Sequence, residues 1–187
     1  MTIAEKAIGV TDWTIDTSHS TFEFTVRHIL VSTIKGAFHK VSGQVHFEPD
    51  HVTASWVRAE VDMSSVDTHN PGRDDMLRGA AQFNVEEFPT ASFVSKRVEP
   101  MGVNRFLVVG DLTFRGITNE VTFDTTFEGS AEQSNGIVRS AFIGRGWMKR
   151  TEFGLPLGNI IPAGVPSVLD EIQLTMYLTC QPTVQEQ

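Results

Sequence analysis

The chain of 187 residues has one cysteine, one tyrosine and no apolar run long enough to cross a bilayer as a helix. Cys180 has no second thiol to pair with, so an internal disulfide is excluded, and no CxxC or Cys/His cluster suggests structural zinc. Lys and Arg number 15 against 23 Asp and Glu, a formal net charge of −8, and no basic run offers a track for nucleic acid. Nonspecific binding to DNA, RNA or an anionic membrane surface is disfavoured on that ground. Glu5 and Lys6 stand where a signal peptide would need its apolar stretch, so the reading is a cytoplasmic protein without a membrane span. Phenols are scarce: Tyr177 is alone against 13 Phe and three Trp. A core or pocket drawn from that stock is apolar and poor in hydroxyl donors. With 40% hydrophobic and 20% charged residues, neither disorder nor a collagen-like chain fits.

What the chain does have is apolar residues at every second position, the spacing that places them on one face of a strand. Phe22, Phe24 and Val26 alternate with Glu23, Thr25 and Arg27. From about Phe38 to Phe47 the residues Val41, Gly43, Val45 and Phe47 share one parity and Phe38 the other, which predicts a bulge or bend near Gly43. Further strands are read at Val57 to Met63, about Thr90 to Val98, Phe106 to Phe114, Val121 to Phe127, Ile137 to Trp147 and Ile172 to Cys180. The total is about eight, mostly joined by turns too short for parallel crossovers. An open sheet of that kind would expose two edges, and closing it removes them. The expectation is an all-β protein, an eight-stranded antiparallel up-and-down β-barrel, whose lumen is either filled by side chains or holds one small ligand.

Two segments break the alternation. Asn70 to Gly79 opens with turn chemistry and carries acids in what would be a first helical turn, predicting a short helix at about residues 73–78 with Met76 and Leu77 plugging one barrel end. Leu155 to Pro166 has no charge and three prolines, which makes it an apolar loop in need of a cover. The domain plan is an extension over residues 1–12, one barrel over 13–181 and a tail over 182–187.

Catalytic signals are thin. Ser18-His19-Ser20 lacks a strand-to-helix elbow and reads as a polar turn, and the six histidines show no paired ligand spacing. Asp62, Asp67, Asp74 and Asp75 fit turns and a helix start better than acid/base work, and Gly144-Arg145-Gly146 opens no helix. Cys180 shares the apolar parity of its strand and reads as a buried thiol. No metal and no cofactor is expected. Periodicity leaves a filled Phe core and a ligand tunnel equally open.

Trp13 to Ser20, Phe24 to His28, Gly36-Ala37-Phe38, Asp62 to Thr68, Arg73-Asp74 with Leu77, Phe88-Pro89-Thr90 with Phe93, and Gly110 to Thr118 follow one another in an order that resembles the YceI-like family. Arg150-Thr151-Glu152-Phe153-Gly154 is similar to the family's Arg-x-Asp-Phe-Gly element, with Glu152 in place of Asp. At Ala81-Gln82-Phe83-Asn84 the family usually shows Asp-Phe-Phe-Asp, so packing beside the helix is expected to differ. The resemblance implies a lipocalin-like barrel, often a homodimer, that holds a polyisoprenoid, isoprenoid quinone or fatty-acyl chain.

The expected function is noncatalytic binding, sequestration or transport of such a ligand. Phe22, Phe24, Met76, Phe93, Phe106, Leu112, Phe114, Phe123 and Phe142 are the wall candidates, and His28, Arg73 and Arg150 the head-group donors. For the two arginines, pairing with nearby acids is the competing role. The alternatives are an enzyme using His28, His69 or a carboxylate at the barrel mouth, and an interaction module that uses the loop from Leu155 to Pro166.

Overall fold

In a computed structural model, residues 11–183 are described, so most of the expected N-terminal extension (1–12) and C-terminal tail (182–187) lies outside the described residues. Alternation of the predicted kind builds every long strand. In β2 (Thr21–His28), for example, Phe22, Phe24 and Val26 are buried and the residues between them are not. The other strands are β1 (Asp12–Ile15), β3 (Ser32–Phe38), β4 (Val41–His46), β5 (Trp56–Asp62), β6 (Val66–Asp67), β7 (Thr90–Gly102), β8 (Arg105–Phe114), β9 (Ile117–Glu132), β10 (Val138–Lys149) and β11 (Val168–Pro182).

These segments merge into eight staves of one closed antiparallel barrel. β1 and β2 form one stave, interrupted by the 3-10 turn Thr17–His19; β5 and β6 form another, interrupted by Met63–Ser65. β3 and β4 form a third. β1 pairs with β4 and β2 with β3, β4 pairs with β5 and β3 with β6, and the meander then runs β5, β7, β8, β9, β10, β11. β11 closes the ring by pairing with β2 over part of its length and with β1 at Cys180 to Pro182.

The parity change expected near Gly43 occurs elsewhere. β4 and β5 keep one register from Val41↔Val61 to His46↔Trp56, with no bulge at Gly43. The inward face switches at exposed His39 and Lys40, between buried Phe38 and Val41, where the stave leaves β2 and joins β1. Gly43 has a different reason to be glycine: its φ is +142° and a Cβ there would lie 2.1 Å from the Arg58 carbonyl oxygen.

Helix α1 spans Pro71–Arg78. It starts earlier than expected because Pro71 occupies the first helical position, where its missing N–H costs nothing, and the Asn70 side chain caps the Arg73 N–H at 3.0 Å. β6 and β7 do not pair, and the chain between them carries α1, which packs near β6.

The Phe rings fall into groups along the barrel axis. Phe22, Phe24, Phe38, Phe83, Phe114 and Phe153 form a connected series towards the α1 end. Phe47, Phe106, Phe127 and Phe142 cluster at the opposite end. Phe93 and Phe123 meet edge to face at 5.2 Å in a pair of their own. Glycines on neighbouring staves admit that pair: a Cβ on Gly110 would lie 2.7 Å from the Phe93 ring, and one on Gly146 would lie 2.9 Å from the Phe123 ring.

Where β1 gives way to β2, Asp16 holds the seam. Its carboxylate accepts hydrogen bonds from the Ser18 N–H (3.0 Å) and Ser18 Oγ (2.6 Å), lies 3.0 Å from His19 Nδ1, and pairs with Arg139 of β10. Burial opposes its ionisation, but the bonds from Ser18, Arg139 and His19 prevail and hold its pKa at about 2, below the ordinary 3.8. Ser18 and His19 are thus parts of a turn, and His19 Nδ1 faces both neighbours at once.

Because the folded-state pKa of Asp16 is depressed, its contribution to stability is complete above 3.8 and is lost as pH falls towards about 2. Asp16→Asn should melt several degrees below wild type at neutral pH, with the gap narrowing through that window, as followed by circular dichroism; an equal gap at both ends would assign the effect to packing. Gly110→Ala should cost about 1–3 kcal/mol by overpacking. Gly72→Ala, in the first turn of α1 where a Cβ would meet only Asn70 Oδ1 at 3.7 Å, should instead be neutral or stabilising when both variants are compared by denaturant titration.

Candidate ligand cavity

At the α1 end the inward faces of β2, β8 and β11 leave a cavity of about 90 Å³ between Phe22, Phe24, Val26, Leu112, Phe114, Ile172 and Leu174. Leu77 of α1, Phe83 after it, Met148 at the end of β10 and Leu155 close its rim. Among the described residues, Arg150 and Gln82 are the only polar side chains on the wall. A second cavity of about 50 Å³ lies at the other end, among Phe47, Phe106, Val108, Phe142, Met176 and Leu178. Phe93 and Phe123 line neither cavity and are 3% and 0% exposed. They form a septum between two chambers, each smaller than the ~150 Å³ apolar cavity known to take a benzene ring.

Arg150 gives the first chamber its chemistry. Its backbone is fixed on three sides: its N–H donates to the Asp170 carbonyl (2.9 Å), and its own carbonyl accepts from the N–H groups of Phe153 (3.1 Å) and Leu155 (3.0 Å). That turn is possible because Gly154 adopts a φ of +69°. The side chain, 8% exposed, donates from Nη2 to the Pro156 carbonyl (2.8 Å) and to Gln82 Oε1 (3.4 Å), while Nε is buried with no partner. Burial pulls its pKa below the ordinary guanidinium range, and the charge of Asp170 opposes that pull. No carboxylate lies within ion-pair distance of it among the described residues. A guanidinium in so apolar a wall, with a free N–H, is a costly arrangement that a buried anionic or carbonyl ligand oxygen would relieve.

The second chamber has a polar fringe. His46 is held between Asp12 at Nδ1 (2.9 Å) and Glu48 at Nε2 (2.8 Å) and stacks on Trp56. The hydrogen bond to Asp12, then that to Glu48, raises its pKa above 6.5 against the effect of burial.

The structure therefore brings Phe22, Phe24, Leu112, Phe114 and Arg150 together in one chamber, Phe106 and Phe142 in the other, and Phe93 and Phe123 between them. Three expected site residues are elsewhere. Met76 is 56% exposed, because in so short a helix only one of the adjacent residues Met76 and Leu77 can face inward, and Leu77 does. Arg73 donates from Nε and Nη2 to Thr68 Oγ1 (2.7 Å) and the Thr68 carbonyl (2.8 Å), tying α1 to β6 rather than facing the lumen. His28 ends β2 outside both chambers, its carbonyl accepting from Ser32 Oγ at 2.9 Å. Among the described residues neither Arg73 nor Arg150 has an acid within ion-pair distance; Asp74 instead accepts from the Thr68 hydroxyl at 2.5 Å.

Gln82, Phe83, Met148 and Leu155 were not among the predicted wall residues, whereas Leu77 was read as plugging a barrel end. Gln82 carried a signal, its departure from the family pattern, and Met148 shares the inward parity of Phe142 in β10, but Phe83 and Leu155 lie in irregular segments where period two says nothing. Cys180 is fully buried, and burial, with a smaller effect from Asp16, pushes its thiol up to about 12. Among the described residues no three His, Cys, Asp or Glu side chains gather as a metal site, and no helix is long and apolar enough to cross a membrane.

Comparison with known proteins agrees with this geometry. Residues 13–180 match the YceI-like domain. A UPF0312 protein of Vibrio vulnificus is 33% identical over 153 residues, 81% of each chain. A UPF0312 protein of Staphylococcus aureus is 33% identical over 156 residues, 83% of this chain and 88% of that one. Among solved structures, BcnA of Burkholderia cenocepacia superposes with a TM-score of 0.75 at 27% identity, covering 88% of this chain and 98% of its own. A polyisoprenoid binding domain from Saccharophagus degradans shares the fold with a TM-score of 0.64 at 16% identity, covering 93% and 99%. With its motifs in order, its barrel closed and its curated relatives matched over four-fifths of their length, the chain belongs to the YceI-like family.

Proposed function

We propose that the protein binds a long apolar ligand, a polyisoprenoid, isoprenoid quinone or fatty-acyl chain, in the barrel lumen and carries or sequesters it without chemical change. The observation that carries this reading is Arg150: a buried guanidinium with an unpartnered N–H, set in a wall that is otherwise apolar apart from Gln82. The head group meets Arg150, and the chain runs inward along Phe24, Leu112, Phe114 and Leu174. The solved polyisoprenoid binding domain with the same fold supports the ligand class. Arg150 and Gln82 are donors and an acceptor rather than general bases at neutral pH, which favours carriage over catalysis.

Each added methylene strengthens burial by roughly 0.8 kcal/mol, about fourfold in affinity. Two chambers of this size hold a ligand of several isoprene units only with the Phe93/Phe123 septum turned aside. The same reading takes the protein as a cytoplasmic homodimer, which cell fractionation and light scattering check.

Organic extraction of purified protein followed by mass spectrometry should recover a prenyl or acyl lipid, unchanged after long incubation. A protein that yields none and takes up no added chain refutes the proposal, and turnover of the bound lipid would make it an enzyme. Arg150→Met should weaken a fatty acid by about tenfold or more while leaving the matching alkane nearly unaffected, in a displacement titration. Affinity for acyl chains of increasing length should rise less steeply at the length that must turn the septum aside, and Phe93→Leu should reduce that break in a displacement titration.

A further inference from the structure

The turn between β2 and β3 is built against the rules of turn chemistry. Ile29 and Leu30 have φ values of +44° and +63°, a region that Asn and Gly adopt readily and that β-branched and bulky side chains avoid. All three residues of the turn, Ile29, Leu30 and Val31, are nevertheless apolar and exposed, Val31 by 82%. The turn is held in this form by Arg27, which donates to the Leu30 carbonyl (3.2 Å) and to Thr33 Oγ1 (3.2 Å). Strain kept in place while apolar side chains point into water marks a surface selected for contact rather than for folding.

A second apolar element lies beside it. The Ile29 N–H donates to the Ser167 carbonyl (2.7 Å), and the Ser167 N–H donates to the Asn159 carbonyl (2.7 Å), so the uncharged segment from Gly154 to Leu169 runs alongside the turn as a small hairpin. Its Leu157 and Ile160 are exposed, Ile160 by 67%. The two elements make one lip, and the lip stands on the rim of the first chamber. Val26 and Ile172, which face each other across β2 and β11, line that chamber, and the same two strands continue to His28 and Val168 at the base of the lip.

Charge supplies the partner. Although the whole chain carries −8, no Asp or Glu occurs from Phe24 through Phe47, a stretch that holds Arg27, Lys35 and Lys40 with three histidines. Lys40 is paired with Asp62 and His39 lies near Asp67, but exposed Lys35 has no ion-pair partner among the described residues. The nearest acids of β11, Asp170 and Glu171, sit level with Arg27 and below the tip, and Asp170 is engaged by the N–H and hydroxyl of Thr151. An apolar tip above a cationic stem fits the surface of an anionic phospholipid bilayer, where the tip enters the acyl region and the lysine stays among the head groups.

We propose that the lip formed by Ile29, Leu30, Val31, Leu157 and Ile160 docks the barrel, mouth down, on an anionic bilayer. This inference rests on the lumen reading, since it gives an apolar ligand a dry route from acyl chains to chamber. It also confines to one face the membrane affinity that the net charge denies to the chain as a whole.

The experiment is cosedimentation of the full chain with vesicles of phosphatidylcholine alone and of phosphatidylcholine with phosphatidylglycerol. Wild type should partition onto the mixed vesicles, more weakly onto the neutral ones, and less at high salt. The triple variant Ile29→Asn, Leu30→Gly, Val31→Ser should lose binding by about tenfold or more and melt at the same or a higher temperature, because it relieves the two strained positions. Lys35→Glu should lose only the preference for anionic vesicles. Wild type remaining in the supernatant, a triple variant that sediments equally, or a lip that instead pairs two copies of the chain in the absence of vesicles would overturn the proposal. Uptake of a prenyl or acyl chain from detergent micelles is measured in parallel: uptake without vesicle binding refutes docking alone, and a failure to take up any chain refutes the lumen reading.

Discussion

Everything in this molecule hangs on the closing of a sheet whose first stave is broken. β11 must satisfy β2 along one part of its length and β1 along another, and between them the chain turns through Thr17–His19. At that break the ladder is continued by side chains: Ser20 Oγ donates to the Thr179 carbonyl and accepts from the Thr179 N–H, and Asp16 draws in Arg139 from β10. Without the Ser20 hydroxyl the Thr179 N–H would lose its partner at the break, while the Thr179 carbonyl would keep only the Asp16 N–H at 2.8 Å. The chambers, the septum and the lip all presuppose a ring that stays shut.

Within the ring, the interior is divided by the placing of its smallest residues. Gly110 continues the inward parity of Phe106, Val108 and Leu112, yet contributes no side chain, and the Phe93 ring occupies the space it leaves. Gly146 does the same for Phe123. Ring over bare backbone packs two aromatic groups across the waist of the barrel, so a lumen lined by nearly uniform Phe and Leu has distinct compartments.

Strand positions and their inward faces were legible because period two is a strong signal in long, half-buried strands. The same signal explains why the fold class follows from residues such as Val121, Phe123, Thr125 and Phe127. It fails where a strand is short or changes partner. β1 offers only Trp13 and Ile15, too few for a pattern, and the exchange of faces at His39 and Lys40 is a matter of which neighbour each half pairs with. Parity also reports direction but not depth: Phe93, Phe106 and Phe114 all face inward, yet one is septum and the others line different chambers. Arg150 came from a family element rather than from any periodicity, and the inward turn of Leu77 instead of Met76 depends on how an eight-residue helix docks at the barrel end.

Cys180 has a practical consequence. It is the chain's one thiol, fully buried against the closing seam, with its pKa pushed up to about 12. At neutral pH almost none of it is thiolate, and thiol-directed alkylating reagents meet no reactive thiol on the native protein. The fold therefore depends on no disulfide. It also comes with a silent background for chemical labelling: a cysteine introduced anywhere on its surface becomes the single reactive handle, with no need to remove the native one.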